Sequence, residues 1–251
     1  MEPTRFLECL AVDQSRLREA VAGYLTAAVP TCPGWTVADL AEHVALVFLH
    51  KVESMRRGGT SEPSWPPDVS GEEPLALLDK AYDTLVAEFA ARDVTDGPAG
   101  TWYEHDQTVG FWIRRMAHET VIHRVDAELA AGQPVAAIPD DLALDGIDEV
   151  LLLFLSYQSR KWHDYFAERL PATAETVLVT AGGRGWLVRL DAEGVSVEPA
   201  PTTTDAQATV AGTPQQVLLW LWRRAADDSV QRSGDEAVLG RLRQLLETAT
   251  Q

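Results

Sequence analysis

The sequence predicts an α+β protein, with an N-terminal up-down helical bundle over residues 1–168 and a small α+β domain over residues 169–251. Three observations predict it. Up to about residue 168, apolar side chains recur at three- and four-residue spacing in long stretches. Beyond Pro171 the spacing changes to alternation around a Gly-Gly pair. Clusters of glycine and proline separate the stretches, as connections between packed elements require.

The first helix is expected over residues 4–25, with Phe6, Leu10, Leu17, Val21 and Tyr24 near one stripe. A second, over 36–56, carries Val37, Leu40, Val44 and Val47; Thr36 can cap it, with Asp39 at the third helical position. A third covers 74–92 through Leu75, Leu78, Tyr82, Leu85 and Phe89, and a fourth covers 109–131 with Trp112, Met116 and Ile122. The last runs from Asp140 to about Glu168, with a break near Ser159. Such helices bury their apolar stripes by forming a bundle. Loops fall at Val29-Pro-Thr-Cys-Pro-Gly34, at 58–71 with its three prolines, and at Gly97-Pro98. In the second domain, strands over 176–180 and 185–190 flank Gly182-Gly183 as a hairpin, and 195–197 and 208–210 continue the pattern. Thr213-Pro214 opens a helix reaching Trp222, and Asp235 begins a final one.

Composition narrows the function classes. Hydrophobic residues make up 46% and charged residues 24%, the balance of an ordinary globular chain. Apolar runs such as 150–155 are far too short to span a bilayer, and the Met-Glu-Pro-Thr start lacks the pattern of a signal peptide, so a cytoplasmic location without membrane attachment is expected. A formal charge of −17 argues against a nucleic-acid surface, which needs clustered cations. Cys9 and Cys32 are too few for a disulfide framework and read as small buried hydrophobes.

Chemistry concentrates on the fourth helix. At about 100° per residue, Glu119 and His123 are about 40° apart and one turn apart on one face, which Trp112, Met116 and Asp126 mark as inward. His118 lies about 140° from His123, so the two cannot share an ion as the pair in a zincin His-Glu-x-x-His helix does. On the second helix, His43 falls among Leu40, Val44 and Val47, where an imidazole needs a partner. His50 shares that face but sits about 10 Å further along, out of reach of the same ion. If the second and fourth helices face each other, His43 meets Glu119 and His123. Two histidines and one carboxylate leave a fourth position open, the layout of a catalytic zinc. Spacing alone is equally met by a hydrogen-bonded structural Glu–His pair and a satisfied core histidine.

Two stretches add a resemblance. Val29-Pro-Thr-Cys-Pro-Gly-Trp-Thr-Val-Ala-Asp-Leu-Ala-Glu-His43-Val and Arg115-Met-Ala-His-Glu119-Thr-Val-Ile-His123-Arg-Val-Asp126-Ala-Glu are similar to the mycothiol-dependent maleylpyruvate isomerase family, which belongs to the wider DinB-like metal-binding bundles. Gly185-Trp186, Ala211-Gly-Thr-Pro214, the run 218–224 and Gly234-Asp235 resemble that family's small sterol-carrier-like domain. The resemblance implies a divalent metal, zinc or alternatively nickel, on His43, Glu119 and His123; Asp126 matches an acidic position just beyond and is a catalytic candidate, as a partner of the ligands or of a bound water, with a plain surface acid as the alternative. It also implies a catalytic arginine from the C-terminal domain, assigned to Arg224 rather than the adjacent Arg223.

The implied chemistry is activation of mycothiol, or a similar small thiol, as a nucleophile. A divalent ion with two neutral imidazoles and one carboxylate keeps a net charge of about +1, which a thiolate neutralises. Addition to a cis enone, rotation and elimination would give isomerisation, and retention of the adduct would give S-transfer. The expected partners are this thiol and a small-molecule substrate, in a monomer or homodimer. Arg114, Arg115, Arg160, Arg223 and Arg224 are candidate cations for an anionic substrate, and the loop 58–71 and the start of the fourth helix are candidates for its pocket. Competing readings are a metal-dependent hydrolase that needs no thiol and a non-catalytic metal-binding bundle.

Overall fold

The computed structural model describes residues 1–59 and 71–250, which divide into two compact units, 1–136 and 137–251. In the first unit, α1 (Pro3–Val21), α2 (Val37–Arg57), α3 (Pro74–Ala90) and α4 (Val109–Ala130) follow the predicted stretches to within a few residues. The start of α2 is fixed as expected. Thr36 accepts the Asp39 N–H at 3.3 Å, and the Asp39 carboxylate accepts the Thr36 N–H at 2.7 Å. These Thr36 hydrogen bonds hold the Asp39 carboxyl below its ordinary range. Thr108 caps α4 in the same way by accepting from the Phe111 N–H.

Helix α4 is the centre of this unit. It packs along α1 and also meets α2, which in turn packs on α3. It is therefore buried on more than the single inward face that its spacing suggests: Phe111 and Ile122 are buried, and so are His118, Arg124 and Glu128. The charged residues of α4 must find partners inside the bundle.

The division into units falls after Ala136, whereas the sequence pattern places the domain boundary at 168. The helical stretch beyond Ala136 packs in the second unit. There α5 (Asp140–Asp148) lies on α8 (Pro214–Leu221), and the π-helical segment Glu149–Tyr157 lies on β3 (Gly194–Pro199). The stretch continues as α6 (Gln158–Lys161) and breaks at Trp162, not at Ser159, before α7 (His163–Phe166). Ser159 instead ties the stretch to the sheet by accepting the Val195 N–H at 2.9 Å.

The sheet contains β1 (Glu175–Ala181), β2 (Arg184–Asp191), β3, β4 (Ala208–Gly212) and β5 (Gln231–Gly234) in the order β3-β2-β1-β4-β5. The β1–β4 pair is parallel and the others are antiparallel. Gly182 and Gly183 both take positive φ, 54° and 81°, as a two-residue hairpin turn demands. Strand β5 is absent from the sequence reading. Gln231-Arg-Ser-Gly has little strand propensity and is held as an edge by pairing with β4. It ends at Gly234, where a Cβ would lie 2.3 Å from the Gln207 carbonyl oxygen. Thr213 caps α8 and Asp235 caps α9 (Glu236–Ala249), as predicted. The fold class is the predicted one, a helical bundle followed by a small α+β unit. No helix among the described residues is long and apolar enough to cross a membrane.

Candidate metal centre

His43 of α2 and Glu119 and His123 of α4 converge. One ligand atom from each lies within 4.8 Å of the other two. Glu119 Oε1 is 3.2 Å from His123 Nε2 and 3.5 Å from His43 Nε2. The two imidazole rings meet edge to face with centroids 5.0 Å apart. Glu119 and His123 are buried, while the His43 side chain keeps 29% of its surface, so the cluster opens to one side past His43. Trp35 covers part of that side, its ring 4.8 Å from the His43 ring.

Each buried member is held from behind. His123 Nδ1 is 2.9 Å from Asp126 Oδ2. The carboxylate can only accept, so Nδ1 carries a proton, and Nε2 is the ring atom turned to the cluster, where a bound cation would replace its proton. Asp126 has no exposed surface, which removes the alternative of a solvated surface acid. Arg115, one turn before Glu119, donates to Glu119 Oε2 and leaves Oε1 toward the histidines. Arg115, one of the two fourth-helix arginines offered as substrate cations, is thus committed to the carboxylate of the cluster.

The electrostatics favour positive charge between the two helices. Burial alone would raise the Glu119 carboxyl, but the charges of Arg115 and His123 and hydrogen bonds from His123 and His43 outweigh it and hold the group well below its usual range. Burial alone would lower His123, yet Glu119 and Asp126 outweigh it and lift the imidazole to about 9. The field that favours a proton at Nε2 favours a divalent cation there. Two imidazoles, one carboxylate oxygen and a histidine oriented by a buried acid make a donor set that suits zinc and related ions.

Among the described residues, the remaining histidine and cysteine candidates are not among the three converging donors. His118 turns to α1, where its ring meets Phe6 edge to face at 5.7 Å. His50 Nδ1 lies 3.0 Å from Lys51 Nζ, a contact away from the three donors. Cys9 is buried as expected, whereas Cys32 is half-buried, with its thiol 3.8 Å from Asp126 Oδ2. In the second unit, Arg160 donates to the Val195 carbonyl at 3.0 Å and serves the sheet. Arg224 donates to the Trp222 carbonyl at 2.8 Å, and Arg223 takes a left-handed φ of 62°. Residues 60–70 of the loop expected beside the pocket lie outside the described residues.

Two family models match the chain. The mycothiol maleylpyruvate isomerase N-terminal domain matches residues 7–128, and the C-terminal domain of the same family matches 141–241. The chain belongs to the mycothiol-dependent maleylpyruvate isomerase family, a family of enzymes. The gap between the two matches, 129–140, contains the division between the compact units. Among solved structures, the chain is similar to the crystal structure of the mycothiol-dependent maleylpyruvate isomerase, with 15% identity, 93% of each chain covered and a TM-score of 0.61. A histidine-to-alanine mutant of that enzyme matches with 14% identity, the same coverage and the same TM-score. At this identity the likeness concerns the fold. No functionally curated protein matches significantly.

Proposed function

We propose that the chain is a thiol-dependent isomerase of the maleylpyruvate isomerase type, in which His43, Glu119 and His123 hold a divalent ion, zinc in preference to nickel, and mycothiol is the thiol. The observation that carries this reading is the convergence of three donor atoms within 4.8 Å, open on the side of half-exposed His43. Three protein ligands with an open direction are the arrangement of a catalytic rather than a structural zinc. When bound, such an ion supplies Lewis acidity that lowers the pKa of a thiol, normally about 8.5, and so provides a nucleophile at neutral pH.

The chain's own residues prepare that chemistry. Asp126 fixes the ring of His123 through Nδ1 and keeps Nε2 aimed at the cluster. Arg115 occupies the second oxygen of Glu119, so one oxygen only is presented inward. Trp35 packs its ring against His43 on the open side. Neither Cys9 nor Cys32 joins the three donors, which leaves the nucleophile to an external thiol. Arg224 carries over from the family resemblance as the proposed catalytic arginine, and Asp126 as the acid that supports the site. Retention of the thiol adduct, S-transfer, is the neighbouring outcome on the same donors.

Elemental analysis of the purified protein, followed by calorimetric titration with mycothiol and a maleylpyruvate isomerisation assay, tests the reading. Stoichiometric metal, metal-dependent thiol binding and thiol-dependent turnover are expected. Stoichiometric metal with no thiol binding would overturn the thiol-dependent reading in favour of a hydrolase or a binding bundle.

A further inference from the structure

The connection between α1 and α2 approaches the cluster from outside both ligand-bearing helices. Thr31 Oγ1 lies 2.5 Å from Asp126 Oδ1, and Cys32 Sγ lies 3.8 Å from Asp126 Oδ2. Oδ2 also meets His123 Nδ1 at 2.9 Å. Three residues further on, Trp35 lies against His43. One short loop therefore touches the support of one histidine and the ring of the other.

The loop is rigid on its own account. The Val29 N–H donates to the Trp35 carbonyl at 2.9 Å, the Trp35 N–H to Cys32 at 3.0 Å, and the Cys32 N–H to Val29 at 3.2 Å. Ala28 pairs with Thr36, whose side chain begins α2. Gly34 takes a φ of +87° to close the turn, a conformation that costs other residues about 1 kcal/mol or more. A donor fixed this way can orient an acceptor rather than follow it.

We infer that Thr31 is a positioning residue for the metal centre: its hydroxyl fixes the Asp126 carboxylate, which in turn fixes the His123 ring. The inference rests on the metal-site reading above. With Oδ1 taken by Thr31, the carboxylate plane is set and Oδ2 faces His123 Nδ1. Without that hydroxyl, Asp126 keeps its negative charge but gains freedom to rotate, and His123 Nε2 loses aim. The Cys32 thiol is the weaker donor to the same carboxylate and supports the same orientation.

The test is zinc affinity by competition with a chromophoric chelator, together with the visible spectrum of the cobalt-substituted protein. The variants are Thr31→Val, Thr31→Ser, Asp126→Asn, the Thr31→Val/Asp126→Asn pair and His123→Ala. Thr31→Val removes the hydroxyl at nearly constant volume on a half-buried loop. It should weaken zinc about 3- to 10-fold, less than the about 10- to 100-fold expected for Asp126→Asn. It should also shift the cobalt bands, and Thr31→Ser should restore both. In the Asp126→Asn background Thr31→Val should have a smaller effect than in wild type, because the amide no longer provides the charged acceptor for the His123 Nδ1 proton through which Thr31 acts. An unchanged affinity and spectrum in Thr31→Val, or a full Thr31→Val effect in that background, would overturn the inference. If Thr31→Val fails to fold, a wild-type affinity in Thr31→Ala would do the same. Retention of zinc at full affinity in His123→Ala would instead overturn the site assignment.

Discussion

The two units bury different things. Among the described residues, the first unit buries Asp13, Glu88, Arg115, Glu119, His123, Arg124, Asp126 and Glu128 among its polar side chains, whereas the buried polar residues of the second are Glu149 and Ser159. The second unit is organised around an apolar core in which Trp220, Leu239, Leu242 and Leu246 carry no exposed surface. Its ion pairs lie nearer the surface, such as Arg184 with Asp148 at 2.9 Å, where solvent leaves a pair worth little. Burying charge costs free energy unless every group is paired, so a bundle that does so along one helix is built for something other than stability. In this chain that helix is α4, which also carries the candidate ligands.

The contrast can be broken most severely at Arg124. This fully buried guanidinium reaches Asp13 at 3.1 Å, Glu128 at 2.7 Å and the Ala136 carbonyl at 2.9 Å. Burial still lifts the Asp13 carboxyl above its ordinary value, because desolvation outweighs the nearby charge of Arg124. Arg124→Met leaves two buried carboxylates without their cation and should cost about 3–5 kcal/mol, read from urea denaturation. In the second unit, Leu242→Ala should cost about 3 kcal/mol by leaving a cavity in the sheet–helix core. If the comparison holds, metal content in that variant stays at the wild-type level under native conditions.

A smaller effect tests the paired charges away from the ligands. Glu88 is buried between Arg56 at 2.7 Å and Arg92 at 2.6 Å. Burial would raise its carboxyl, but these hydrogen bonds and charges outweigh it and lower the value. A lowered folded-state value means that the stabilisation is complete above the ordinary 4.5 and is lost as pH falls through the folded value. Glu88→Gln should lower stability by about 1–2 kcal/mol at neutral pH and by less at acid pH, seen as a shallower loss of thermal stability on acidification. Smallest of all, Thr213→Ala removes the cap of α8 and should cost about 1 kcal/mol, with no effect on metal.

What the sequence disclosed follows the range of the interactions. The triad was legible because two of its members are four residues apart on one helix and the third sits on the apolar stripe of another. The caps at Thr36, Thr213 and Asp235 were legible for the same local reason. The i,i+4 spacing of Arg115 and Glu119, and of Arg124 and Glu128, also announces the pairs the structure contains, although the first reads equally as a substrate cation. Thr31 with Asp126 and Asp13 with Arg124 join residues about a hundred positions apart, and nothing local marks them. The sequence pattern puts the boundary at 168 and the compact units divide at 136, because residues 140–161 have helical spacing, which says nothing about whether a helix packs on a bundle or on a sheet. Strand β5 depends wholly on its neighbour.

The most direct test of the account is metal content, measured by mass spectrometry after loading with zinc and exhaustive dialysis. The set is wild type, His43→Ala, Glu119→Ala, His123→Ala, His118→Ala and His50→Ala. Stoichiometric zinc is expected in wild type, His118→Ala and His50→Ala, and loss of it in the three ligand variants. Full zinc in Glu119→Ala, or none in the loaded wild type, would contradict the assignment of His43, Glu119 and His123 as the metal centre.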